Sequence, residues 1–212
     1  MIATQVEISL ETCCDFSECS AFAFPLLKQL SVGGYDECSV MPIPYDVGEW
    51  REAHRTARKR ADRAARRGYR FVVVARHERA DELWAINVSA PVRQKRPMSV
   101  GYLERPSETP LPDYPCARHA VRTYGVEDAD GTLVAYLWLY RAGQLALVSQ
   151  ILGHADHLAN EVMYLLWQGM VASESADPDG FIVYNRHDSG TDGLRFYKER
   201  VGLCATEVDW CL

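Results

Sequence analysis

The sequence predicts an α/β fold, a mixed and largely antiparallel sheet with helices on both faces. Two observations carry that expectation. Three strand-like runs, "HAVRTYGVED" (119–128), "GTLVAYLWLYRA" (131–142) and "QLALVSQIL" (144–152), follow one another across tight Gly-containing turns, the pattern of an antiparallel meander. Around them helical and strand-like runs alternate, and apolar residues make up 48% of the chain against 25% charged, which is ordinary for a globular protein.

The elements justify themselves in order. "TQVEISL" (4–10) alternates and reads as a strand. The next thirty residues are rich in Cys, Ser and Gly and give no clear period, and "MPIPY" (41–45) forbids a regular helix. Asp46 caps the helix that follows, with Glu49 completing a capping-box-like pattern and Gly68 a plausible C-cap. "YRFVVVARH" (69–77) is a strand with a buried centre, and "DELWAINVS" (81–89) a short helix or turn. Residues 90–115 hold six of the ten prolines and read as a long loop. After the meander come a helix over about 156–175, a strand "GFIVYNR" (180–186), a short helix "TDGLRFYKERVG" (191–202) and a last strand "LCATEVDWCL" (203–212). The expected organisation is one domain over 1–212, with an irregular N-terminal region (1–45), a basic helix (46–68), the Pro-rich loop (90–115) and a core over 116–212.

No apolar run approaches the about 18–20 residues that span a bilayer, and "MIATQVEISLETCC" lacks the basic and apolar regions of a signal peptide, so a cytoplasmic protein with no membrane partner is expected. The seven cysteines form no CxxC pair, and reduced, mostly buried thiols are the expectation. No metal is assigned; a site from Cys13, Cys14, Cys19 and Cys38 stays open as the alternative.

Charge is placed unevenly. Arg51 to Arg70 carries nine Lys/Arg against two Asp/Glu, a balance of +7, while the remainder carries 14 against 27, or −13. Trp50, Ala53, Ala57, Ala61 and Ala64 recur at helical spacing and form a narrow stripe for close packing. Arg51, Arg55, Arg58, Lys59, Arg60, Arg63, Arg66 and Arg67 occupy much of the rest, with Glu52 and Asp62 the acidic residues among them. Over about 47–67 such a helix spans about 30 Å. Arginine in that density suits bidentate phosphate contacts, so a polyanion partner is expected; a solvated face, or one docked on the acidic remainder, is the bland alternative. Arg93, Lys95 and Arg96 in "RQKRPMS" (93–99) are expected as a second basic contact, with a solvated loop as the alternative.

"GLRFYKERVGL" (193–203) is the most informative short stretch. It resembles the helix of the GNAT acyltransferase superfamily in which a Phe-Tyr pair precedes a glycine; element order over about 70–212 resembles that fold as well. Counting back four from Gly202 reaches Lys198, which is similar to the Phe-Lys-x-x-Phe-Gly motif of the Fem family, with Val201 in place of the second aromatic. Those are GNAT-fold transferases that move an amino acid from aminoacyl-tRNA and form a peptide bond. The resemblance implies Lys198 near the reacting ester carbonyl. Tyr197 and Asp188 are secondary catalytic candidates: "YNRHDSG" (184–190) leaves a strand end, where α/β folds place binding residues, so Asp188 or His187 can relay a proton and Tyr184, Asn185 and His154 are expected around the acceptor amine; a polar loop that caps the next helix is the bland alternative. His154 and His157 stand one turn apart without an evident third metal ligand.

Acetyl-CoA-dependent members hold the pyrophosphate on a Gln/Arg-x-x-Gly-x-Gly/Ala loop. Here "QILGHADHLANEVMYLL" supplies Gln150 and Gly153, then Ala155 alone, with Asp156 adding negative charge. That disfavours coenzyme A. No cofactor is expected; aminoacyl-tRNA is the co-substrate, docked on the basic helix, and the acceptor is a small amine or peptide such as a natural product in a biosynthetic pathway. An acyl-CoA-dependent N-acetyltransferase and a non-catalytic nucleic-acid-binding module are the rival readings.

Overall fold

The computed structural model describes residues 4–10, 17–110 and 116–211. Ten strands and seven α-helices follow in chain order among them. They are β1 (Thr4–Ser9), α1 (Ser17–Val32), β2 (Glu37–Pro42), α2 (Val47–Ala53), α3 (Arg55–Arg66), β3 (Arg70–Val73), α4 (Ala80–Val88), β4 (Val92–Arg93), β5 (Arg96–Pro97), α5 (Val100–Leu103), β6 (His119–Glu127), β7 (Leu133–Ala142), β8 (Leu145–Gly153), α6 (Val162–Glu174), β9 (Phe181–Arg186), α7 (Asp192–Arg200) and β10 (Cys204–Cys211). Eight strands form one sheet in the order β1-β10-β2-β9-β8-β7-β6-β3; β4 and β5 make a separate hairpin. β1–β10 and β8–β9 are parallel and the other pairs antiparallel, so the expected mixed, mainly antiparallel sheet is present.

The meander explains the core. Along β7, Ala135, Leu137 and Leu139 join the cluster under α3 and α6, whereas Tyr136 and Trp138 pack with Leu83 and Ile86 of α4 on the opposite face. Period-two alternation with both sets buried requires helices on both faces, and α1 and α4 cover the second one. Gly169 lets α6 lie close to β3, since a Cβ there would fall 2.1 Å from Phe71 Cδ2.

Three stretches depart from expectation. In the segment over 1–45, read as irregular apart from the strand expected at 4–10 (here β1), lie also α1 and β2, and β2 sits inside the sheet between β10 and β9. α1 escapes a periodicity reading because it carries Pro25 in its interior and cysteine and serine near its start. The basic helix is two helices: His54 breaks it at φ −109°, ψ 51°, with its ring Nδ1 2.9 Å from the Trp50 carbonyl. Asp46 caps α2 through Gly48 N at 2.7 Å, and Gly68 adopts φ 93° just past α3, as expected. The Pro-rich stretch contains the β4–β5 hairpin and the single-turn α5.

Candidate active site

The site opens where two parallel strands part. β8 and β9 pair over three residues, 145–147 against 181–183. Beyond them β8 continues beside β7 to Gly153, while β9 follows β2. A bulge bends β9: its register with β2 slips between Cys38 and Val40, and Asn185 takes φ 56°. Asparagine is one of the few side chains that accept a left-handed backbone at small cost.

The splay leaves two cavities that meet. The larger, about 680 Å³, is lined by Ser149, Gln150 and Gly153 of β8, Tyr184 and Asn185 of β9, Leu194 and Tyr197 of α7, Met163 of α6, and Arg93, Arg96 and Tyr102 from the hairpin and α5. The smaller, about 380 Å³, lies against α1 (Ala21, Phe22, Pro25) and Tyr140. Ser149 and Asn185 line both.

The residues expected to act are distributed around this junction. Tyr184 and Asn185 form its β9 wall and Tyr197 its α7 wall; the Tyr197 hydroxyl donates to the Met163 carbonyl at 3.0 Å, and burial holds its pKa well above the ordinary phenol value. Lys198 is fully buried and does not line either cavity. Its ammonium donates to the Arg186 carbonyl at 2.7 Å and to Ser189 Oγ at 3.2 Å, and lies 5.2 Å from the Tyr184 ring centroid. Burial pushes its pKa down to about 8. The lysine thus stands one layer behind the cleft wall and fixes the β9–α7 loop.

Part of the motif around it is structural. Gly202 at φ 99° ends α7, with Leu203 N donating to the Lys198 carbonyl at 3.0 Å, and a Cβ on it would meet His54 Nε2 at 2.6 Å. Asp188 is exposed and forked by Arg186 at 3.0 and 2.9 Å; that guanidinium lowers its pKa and keeps it ionised, outside both cavities. His187 Nδ1 lies 3.1 Å from Ser39 Oγ. His154 follows Gly153, its ring edge-on to His157, one residue past the cleft lining.

The basic residues divide into two groups. Arg93, expected at a phosphate, instead clamps backbone: it donates to the Gly153 and Ile86 carbonyls at 2.9 Å each and to Ser89 Oγ at 2.8 Å. Lys95 sits at the hairpin tip with φ 63°, and exposed Arg96 reaches the cleft rim. On α2 and α3, Arg51 pairs with Asp62, Arg55 and Arg58 with Glu52, and Arg60 and Arg63 with Glu161. Glu161 is the partner that sequence spacing misses, because it comes from the start of α6. Among the described residues Lys59, Arg66 and Arg67 make no ion pair and remain exposed, while Ala57, Ala61 and Ala64 bury the opposite stripe. α3 is one helix away from the cleft: Arg60 stacks over Tyr164 at 5.1 Å, and Tyr164 meets the Tyr197 ring at 5.1 Å.

The loop after β8, set beside a pyrophosphate loop by its Gln150 and Gly153, is closely packed. A 3₁₀ helix (Ala155–Asn160) separates β8 from α6, and a Cβ on Gly153 would fall 2.7 Å from Met163 Sδ and 2.8 Å from Leu158 Cδ2. Glu161, itself left-handed at φ 67°, puts a carboxylate at the start of α6.

Of the alternative cysteine cluster, Cys13 and Cys14 lie outside the described residues. Cys38 is not in the group of possible metal ligands that Cys19 joins among the described residues; its thiol donates to the Tyr35 carbonyl, and burial pushes its pKa up to about 12. Ser149 and Tyr102 were not singled out by sequence; Ser149 is the one hydroxyl in the otherwise apolar start of β8.

No protein-family model and no curated protein matches the sequence. In structure the chain is similar to FemX, with a TM-score of 0.61 and 10% identity over 98% of this chain and 79% of that one. It is also similar to the C-terminal domain (DUF2156) of a putative lysylphosphatidylglycerol synthetase from Agrobacterium fabrum, at TM-score 0.52 and 16% identity over 85% of this chain and 62% of that one. L-PGS from Bacillus licheniformis gives 0.51 and 14% over 80% and 57%. The chain spans less than two thirds of either synthetase structure. These likenesses define a GNAT-like, FemX-like fold. No described helix is long and apolar enough to cross a membrane.

Proposed function

We propose that the protein is an acyltransferase that moves an amino acid from aminoacyl-tRNA to the amine of a small acceptor. The observation that carries this reading is the meeting of two cavities at Ser149 and Asn185, one for each substrate of a group transfer. An aminoacyl ester is already activated. Transfer needs the amine held against the carbonyl: the C–N bond forms, the C–O bond to the ribose breaks, and the amine proton leaves with the ribose oxygen or to water. The larger cavity, with Arg96 at its rim, receives the aminoacyl terminus; the one under α1 receives the acceptor. Lys59, Arg66 and Arg67, with the half-paired Arg63, meet the phosphate backbone. Lys198 acts as a positioning residue through Tyr184 and the loop from Arg186 to Ser189. The acidic Asp156 and Glu161 before α6, with Ala155 where a further glycine would be needed, favour this donor over acyl-CoA.

The test supplies radiolabelled aminoacyl-tRNAs or acetyl-CoA with a panel of amines. Label moving from tRNA to an amine is the expected result. Consumption of acetyl-CoA with none from tRNA overturns the reading.

A further inference from the structure

Away from the cleft, the Sγ atoms of Cys19 and Cys116 and a ring nitrogen of His119 all lie within 4.8 Å of one another. We infer that these three side chains form a zinc site that fastens α1 to the start of β6. Ligand spacing about a tetrahedral zinc is about 3.3–3.8 Å, from bonds of about 2.0–2.3 Å, so small side-chain rotations close this triangle on an ion.

Three features are those of a built site. Cys116-Ala-Arg-His119 is a Cys-x-x-His turn, closed by His119 N donating to the Cys116 carbonyl at 2.9 Å. The His119 Nε2 lies 2.9 Å from the Leu10 carbonyl, a contact of the kind that fixes the ring orientation of a metal-binding imidazole. Cys19 stands in the first turn of α1, where a helix N-terminus favours thiolate. His119 is fully buried and Cys19 nearly so, and two thiolates neutralise a divalent ion, so the loaded site leaves no net charge in that interior. Two sulfurs and one imidazole suit zinc rather than magnesium or calcium. A tetrahedral ion leaves a fourth position beyond this trio.

The site has a structural consequence for the cleft. α1 supplies Ala21, Phe22 and Pro25 to the smaller cavity, and Phe22 packs edge-on to the His119 ring at 6.3 Å. Zinc would therefore set the position of that wall.

The test measures metal by mass spectrometry in protein purified without chelator, then replaces the metal with cobalt. One zinc per chain and a cobalt spectrum with thiolate charge-transfer bands are expected. Cys116→Ser should lower zinc affinity at least about tenfold, whereas Cys204→Ser, an exposed cysteine on β10, leaves it unchanged. A strong chelator should lower the melting temperature of the native chain and not that of Cys116→Ser. Metal well below one per chain with no cobalt bands overturns the inference. So does undiminished binding by Cys116→Ser, or a Cys19–Cys116 disulfide in the native protein by non-reducing peptide mapping.

Discussion

The two ends of the β8–β9 pair bury charge in opposite ways. Where the strands are joined, Glu174, 1% exposed, accepts from Arg122 at 2.8 and 2.9 Å and from the Tyr124 hydroxyl at 2.5 Å, with the equally buried Arg141 3.8 Å away. Arg141 in turn donates to the Asp179 carbonyl at 2.8 Å. Where the strands part, Lys198 is as deeply buried and has a carbonyl and a hydroxyl for partners, with no carboxylate on its ammonium among the described residues. The first arrangement compensates its charges and holds the loop before β9. The second leaves a cation under-compensated next to the cleft, which is why its pKa falls. Buried charge at one end secures the fold; at the other it is maintained against the fold's preference.

Substitutions can break that contrast. Glu174→Gln should have the largest effect, a loss of about 3–5 kcal/mol in urea unfolding, because the buried Arg141 and the part-buried Arg122 lose the buried carboxylate they share. Lys198 carries the opposite sign. Its folded pKa of about 8 lies below the unfolded value of 10.5, so between those values the unfolded chain binds the extra proton and native stability rises with pH. The native protein should gain up to about 3 kcal/mol relative to Lys198→Met as pH rises through that window. A flat difference between the two unfolding series would place the ammonium in solvent. Gly202→Ala should cost about 1–3 kcal/mol, since it forces a side chain into a left-handed position against His54 and disturbs the turn that seats Lys198. Replacing Lys59, Arg66 and Arg67 together by Glu should be smallest in stability, within about 0.5 kcal/mol per site. It should abolish tRNA binding in a filter assay at low salt; retained, salt-insensitive binding would remove α3 from the interface.

Much of the sheet was legible in the sequence and less of the site. The meander reads directly because alternating residues are buried on both faces of β7, and Gly68 and Asp46 mark helix ends by local chemistry. α1 and β2 were missed because Pro25 and Pro42 interrupt or end them, and their partners lie far along the chain. The Lys198 motif drew attention to the right turn of helix. Its burial was invisible, since it depends on Arg186 and Ser189 folding over the ammonium. Spacing along α3 likewise could not reveal Glu161, about a hundred residues downstream, as the counter-charge of Arg60 and Arg63.

The three-residue pairing of β8 with β9 has a mechanical consequence. It joins two half-sheets, β1-β10-β2-β9 and β8-β7-β6-β3, at one end of their shared border. Gly153 lies six residues beyond the last pair, a lever of about 20 Å at about 3.3 Å per residue. A rotation of about five degrees between the half-sheets therefore displaces the cleft mouth by about 2 Å, close to the difference between a contact and a bond-forming approach. With three residue pairs as fulcrum, the opening of the cleft is set by how firmly that short border holds.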